Sequence, residues 1–237
     1  MRQLRRSLFR YHVWLGWLVG VPLLLWTLSG LVMVVRPIEA VRGTDRKIEA
    51  PVSALPGFNP APVLNEIDVV PTVKEIHTFV QRGRPVTLVT RLDGSTARFD
   101  AARGWAIPPV DEDEARQIVA KGIVGGKDIV GASLFAAKNA PFEFRKPMPA
   151  WQVRLADGTH IYIGRDTAEI EAVRTPYWRF YDFMWGLHIM DLETREDTHH
   201  PILVVFTAIA ALATVLAVLL MIARYMPRRR VKPPAND

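Results

Sequence analysis

A chain of 237 residues without a cysteine has no disulfide framework, no thiolate nucleophile and no cysteine metal site. Its net charge of +6 could suggest nucleic acid, but the charge sits at the two ends. Residues 1–12 and 224–237 together carry +8 and everything between them carries −2, so the basic composition is a topology signal and no nucleic-acid partner is expected.

The basic tail of residues 1–12 leads into Val13–Val35, twenty-three residues without a charge. At ~1.5 Å per residue such a helix is roughly 35 Å long, slightly more than the roughly 30 Å hydrocarbon core of a bilayer. Lipid offers the backbone no hydrogen bonds, so the run predicts a transmembrane helix over 13–35, with Gly16 and Gly20 spaced for close helix packing. The opening RRSLFRYH partly resembles a twin-arginine export signal. The apolar run exceeds the ~7–15 residues of a cleavable signal and no small-residue cleavage pattern follows, which predicts an uncleaved anchor.

Residues 36–62 hold Pro37, Pro51, Pro56, Pro60 and Pro62 and read as a linker packed along the following domain. The sequence then carries one unit twice, over 63–110 and 111–175. In the first copy, Ile76, Phe79 and Val80 at helical spacing predict a short helix over Thr72–Arg82. Strands Val86–Arg91 and Ser95–Phe99 follow around Asp93-Gly94, then a short Trp105–Ile107. In the second, acidic residues open a helix over Asp111–Lys121, and strands Trp151–Leu155 and Thr159–Ile163 flank Asp157-Gly158, ahead of Glu169–Val173. Asp-Gly between strands signals a type I′ hairpin, in which glycine takes the positive φ. The expectation is an α+β body of two helix-plus-antiparallel-sheet modules between two transmembrane helices.

Over 176–200, Trp178, Tyr181, Trp185 and His188 fall on one helical face, which predicts an interfacial aromatic helix followed by a hydrophilic loop, Asp191–Asp197. Pro201 suits a first helical turn, and 201–223 reads as the second transmembrane helix before the basic tail of 224–237. Basic residues outside both apolar runs place both termini in the cytoplasm and the central domain on the far side.

The assembled residues resemble the bacterial PepSY-associated transmembrane proteins. The resemblance rests on Phe9–Gly16 with Pro22–Trp26 and Leu28–Leu31, on Trp151-Gln152-Val153 with Asp157-Gly158, Ile161-Tyr162-Ile163 and Glu169-Ile170, and on Leu187-His188 after an aromatic run. It implies PepSY-like modules, an inner-membrane location, a periplasmic central domain, and partners among the lipid bilayer, a second copy or other membrane subunits. Larger relatives have four membrane helices and some resemble haem-carrying ferric-siderophore reductases; this chain has two. The implied function is a haem-binding accessory subunit in membrane electron transfer or iron reduction, with no catalytic activity alone. The alternative is a non-catalytic interaction or inhibitory module acting on a peptidase or envelope partner.

The candidate haem ligands are His188, His12, His199 and His200. The first helix separates His12 from the outer face by roughly 35 Å, so His12 and His188 cannot share an iron. His188 could pair with His199, His200 or a second copy's equivalent, and His12 needs a partner chain. Plain alternatives stand beside each: His12 snorkels to headgroups, His188 packs in an aromatic wall, and His199 and His200 start a helix. Zinc would need three or four convergent ligands, and His77 and His160 read as surface residues. There is no phosphate-binding Gly loop, no Gly-x-Ser-x-Gly and no His-Glu-x-x-His.

Overall fold

The computed structural model describes residues 2–49, 53–57, 63 and 72–225. The fold is α+β, with two four-stranded antiparallel sheets and two long apolar helices. The chain divides into two compact units, Met1–Val35 with Tyr181–Asp237, and Arg36–Phe180.

Helix α1 runs over Arg2–Val35 and so begins well before the apolar stretch. Pro22 lies inside without ending it, and it stops one residue before Arg36-Pro37, where the proline ring disfavours helical backbone at the preceding position. The last helix among the described residues, Pro201–Tyr225, has no buried residue. It and Phe9–Val35 are each long and apolar enough to cross a membrane. Leu18 and Val19 face Pro201, Ile202, Val205 and Phe206 across an apolar groove of about 390 Å³. Such exposure would be costly in water and is the normal state of a helix solvated by lipid.

The second unit opens with the short helix α2, Ile38–Arg42, closed by Gly43 at φ 67°. A Cβ on Gly43 would lie 2.7 Å from Val173 Cγ1, so glycine serves both the turn and the close approach. Two residues just beyond it are tied to this unit. Lys47 bridges Ile123 in the backbone and its Nζ donates to the Ile170 carbonyl at 2.9 Å, while Arg46 pairs with Asp157 at 2.8 Å.

The first sheet is a meander of β1 (Val73–Gln81), β2 (Arg84–Arg91), β3 (Thr96–Asp100) and β4 (Ala106–Ile107). The helix expected over Thr72–Arg82 is therefore a strand. The spacing of Ile76, Phe79 and Val80 fits either period over so short a run, and the β-branched Val73, Ile76, Thr78 and Val80 settle it. Arg82 and Gly83, at φ 50° and 80°, make a two-residue hairpin that pairs Gln81 with Arg84. Thr78 and Thr87 hydroxyls meet across the pair at 2.8 Å.

The second sheet repeats the meander as β5 (Ile129–Phe135), β6 (Ala150–Leu155), β7 (His160–Gly164) and β8 (Ile170–Arg174). Strand β5 lies where no element was expected. Helix α3, Glu112–Gly122, covers this sheet; Asp111 caps it by accepting the Glu114 N–H at 2.8 Å. Its Ala115, Ile118 and Val119 pack with Val153, Ile161 and Ile163 in the larger core. A separate apolar cluster of Val63, Val89 and Phe99 serves the first sheet.

The Asp-Gly loops match between copies but are not type I′. Gly94 and Gly158 donate to the carbonyls of Arg91 and Leu155, each at 3.0 Å, and take φ 82° and 78°, while Asp93 and Asp157 keep negative φ. This is the three-residue loop with glycine at the left-handed position. Each aspartate accepts the N–H two residues on, from Ser95 at 2.8 Å and Thr159 at 2.9 Å.

Helix α4, Pro176–Ile189, holds the aromatic run. Its most buried positions are Trp178, Asp182, Gly186 and Ile189, with Trp185 and His188 half-buried beside them. The last helix, Pro201–Tyr225, is α5.

Candidate functional site

His188 lies near the end of α4 and meets α1. Its ring stacks on Trp26 with centroids 4.6 Å apart and planes 16° from parallel. Nδ1 is 3.0 Å from the Trp26 carbonyl and 3.2 Å from Ser29 Oγ, and Ser29 Oγ itself donates to the Trp26 carbonyl at 2.8 Å. A carbonyl oxygen only accepts, so Nδ1 carries the hydrogen and the lone pair of the neutral ring resides on Nε2. Nε2 has no hydrogen-bond partner among the described residues. A Cβ on Gly30 would lie 3.0 Å from His188 Cε1, so the glycine makes room for the ring. An imidazole with one nitrogen anchored to a carbonyl and the other open is the arrangement by which proteins orient a metal-ligating histidine.

The loop after α4 is ordered around one carboxylate. Met190 takes φ 56°, and the chain folds back on Gly186, whose Cβ would meet the Asp191 carbonyl at 3.0 Å. Asp191 Oδ1 accepts N–H groups of Glu193 and Thr194, at 3.2 and 3.0 Å, and Oδ2 those of Glu196 and Asp197, at 3.1 and 3.2 Å. The Thr194 hydroxyl also donates to Oδ2. That hydroxyl foremost, with the backbone donors, outweighs burial and holds the Asp191 carboxyl well below the usual range. Asp182 pairs with Arg195 at 2.7 Å, and Trp185 Nε1 donates to the Arg195 carbonyl at 3.0 Å. Asp191 and Asp182 thus serve the loop and are not open ligands.

None of the other candidate histidines hydrogen-bonds to or stacks on His188 among the described residues. His12 is half-buried on α1, fourteen residues before Trp26, roughly 21 Å along the helix. Its Nδ1 is buried without a partner among the described residues, as is that of half-buried His200. The His200 carbonyl accepts the Val204 N–H at 3.2 Å and so begins α5. His199 is exposed, its N–H donating to Asp197 at 2.8 Å. Among the described residues no group of three or more His, Asp or Glu side chains could hold a metal ion.

His77 is exposed and stacks on Phe79, with centroids 5.1 Å apart. His160 departs from the surface reading, because Glu143, in a stretch with no expected element, covers it. Glu143 Oε1 accepts from His160 Nδ1 at 2.5 Å and from Tyr162 OH at 2.7 Å, and Oε2 lies 3.3 Å from Arg179. Gln152 Nε2 donates to the Tyr162 hydroxyl at 2.6 Å. Burial pushes Glu143 up, but the Tyr162 and His160 hydrogen bonds and the nearby charges prevail and hold its carboxyl below the ordinary value. Burial and the Glu143 hydrogen bond push the Tyr162 hydroxyl well above its own. Tyr162 is fully buried, so this is a satisfied polar core beneath β6 and β7.

Trp26, Ser29, Gly30 and Glu143 are the residues the sequence reading missed. The Ser29-Gly30 pair in an apolar run is the one signal that could have marked a gap for a ring. No protein-family model matches the chain, and no curated protein or solved structure matches it either.

Proposed function

We propose that this is a membrane-anchored PepSY-type protein of the bacterial inner membrane, and that it serves as a haem-binding accessory subunit in membrane electron transfer or iron reduction. The observation that carries the reading is His188, its Nδ1–H fixed on the Trp26 carbonyl at 3.0 Å and its Nε2 open. His188 would hold a haem through Nε2, and a second ligand would have to come from His199, His200 or the same residue of a second copy. When bound, the haem supplies one-electron chemistry. The protein's part is to fix the imidazole through Trp26 and Ser29 and to keep water from its stacked face. The paired meanders with matching Asp-Gly loops support the PepSY-like reading of the body.

Protein purified in detergent after growth with ample haem is expected to show a Soret band that His188→Ala removes. Gly30→Leu, which fills the space of the ring, should weaken the band likewise, and His77→Ala should leave it unchanged. A band undiminished in His188→Ala defeats the assignment of the ligand. No band in the wild type defeats the haem reading and leaves the interaction module.

The placement of the body is tested separately. Reporter fusions after Leu4 and Lys232 are expected to report cytoplasm, and a fusion after Gly126 periplasm. A periplasmic signal from either tail overturns this topology.

A further inference from the structure

The hairpin end of β1 and β2, strands β3 and β4, and one face of α3 enclose a cleft of about 310 Å³ within the second unit. That volume is at the small end of the ~300–1,000 Å³ typical of ligand pockets. Val86 and Ile118 line it together with four basic side chains, Arg82, Arg84, Arg98 and Lys121, and a single carboxylate, Glu114. Oε1 of Glu114 is shared by Arg82 at 3.0 Å and Arg98 at 3.3 Å. Arg84 and Lys121 have no carboxylate partner among the described residues, so three positive charges stand uncompensated around the cleft. Lys121 shares the helix face of Glu114, Gln117 and Ile118, which turns its ammonium to the same space.

Arg98 separates this arrangement from an ordinary charged surface. Its side chain is 2% exposed; one terminal nitrogen reaches Glu114 and the other donates to the Pro108 carbonyl at 2.8 Å. Its Nε is buried with no acceptor among the described residues. A buried guanidinium is normally fully bonded, and an orphaned N–H in a cationic cleft calls for an oxyanion. Arg82 is likewise held in place, donating to the Ala168 carbonyl at 2.8 Å.

We propose that this cleft binds a small soluble polyanion, a compact molecule bearing two or more phosphate or carboxylate groups. Arg98 and Arg82 form the fixed inner wall, and Arg84 and Lys121 close on the ligand from the rim. The amide of Gln117 supplies a neutral donor for its remaining oxygens.

The full chain in detergent is titrated calorimetrically with pyrophosphate and with citrate at low salt. At least one is expected to bind saturably, which also tells phosphate from carboxylate recognition. Binding should weaken as salt rises and fall about tenfold for each cation removed in Arg84→Gln and Lys121→Gln. Both residues are exposed, so the variants should fold as the wild type does. Arg154→Gln, on the other sheet, should bind like the wild type. Absence of saturable binding by either probe overturns the proposal, as does binding that the double variant retains in full. The haem reading stands or falls independently, on His188.

Discussion

Replacing Glu114 by Ala is expected to destabilise the second unit by about 3 kcal/mol and to lower its thermal midpoint by about 10 °C. Arg98 is 2% exposed at its side chain and Glu114 is its only charged partner among the described residues. Removing the acid leaves a buried cation uncompensated, and the same change releases Arg82 on the hairpin. The two sheets have separate apolar cores, and their links are polar: Gln81 to the Thr167 carbonyl at 2.9 Å, Arg82 to that of Ala168, and both arginines to Glu114. The wild-type unit should therefore unfold in one transition and Glu114→Ala in two, read by calorimetry, with Glu114→Gln between them. A single unshifted transition in Glu114→Ala would show that the acid couples nothing.

Glu143→Ala is expected to cost about 3 kcal/mol as well, since it takes from His160 and Tyr162 their shared acceptor beneath β6 and β7 and from Arg179 its carboxylate. The side chain is 15% exposed, so water replaces little of what is lost. The pH dependence has a definite sign. Folding lowers the Glu143 carboxyl below its ordinary value of 4.5, so its stabilisation is complete above that value and disappears as pH falls through the lower folded one. Denaturation midpoints measured between pH 7 and 3 should drop more steeply for the wild type than for Glu143→Gln. Parallel curves would remove Glu143 from the account of acid stability.

Local chemistry made much of this fold legible. Asp111 and the acids behind it place the start of α3 to within a residue, and the Asp-Gly pairs locate both matched hairpins. The apolar stretches show both long helices. Misreadings arose where one signal admitted two periods or where none was strong. Val73–Gln81 carries apolar residues at a helical spacing, but its β-branched residues favour a strand, and Gly83 beyond it, with a φ of 80°, closes the hairpin. Strand β5 holds Gly131 and is exposed at Val130 and Leu134, so no alternation marks it. The site was legible only as a residue type. His188 stood out beside an aromatic run, but its partners Trp26 and Ser29 lie about 160 positions away, and nothing local encodes that meeting. Glu143 escaped for the same reason, being joined to His160 and Tyr162 by tertiary contacts alone.

The seating of His188 also has a mechanical consequence. A ring stacked at 4.6 Å on Trp26, bonded to its carbonyl and filling the space over Gly30, leaves no room for gradual sliding of α1 past the end of α4. Under lateral load the two segments act as one lever. Slip between them must come as a whole-turn jump of about 5.4 Å, in which the ring leaves one seat before it finds another.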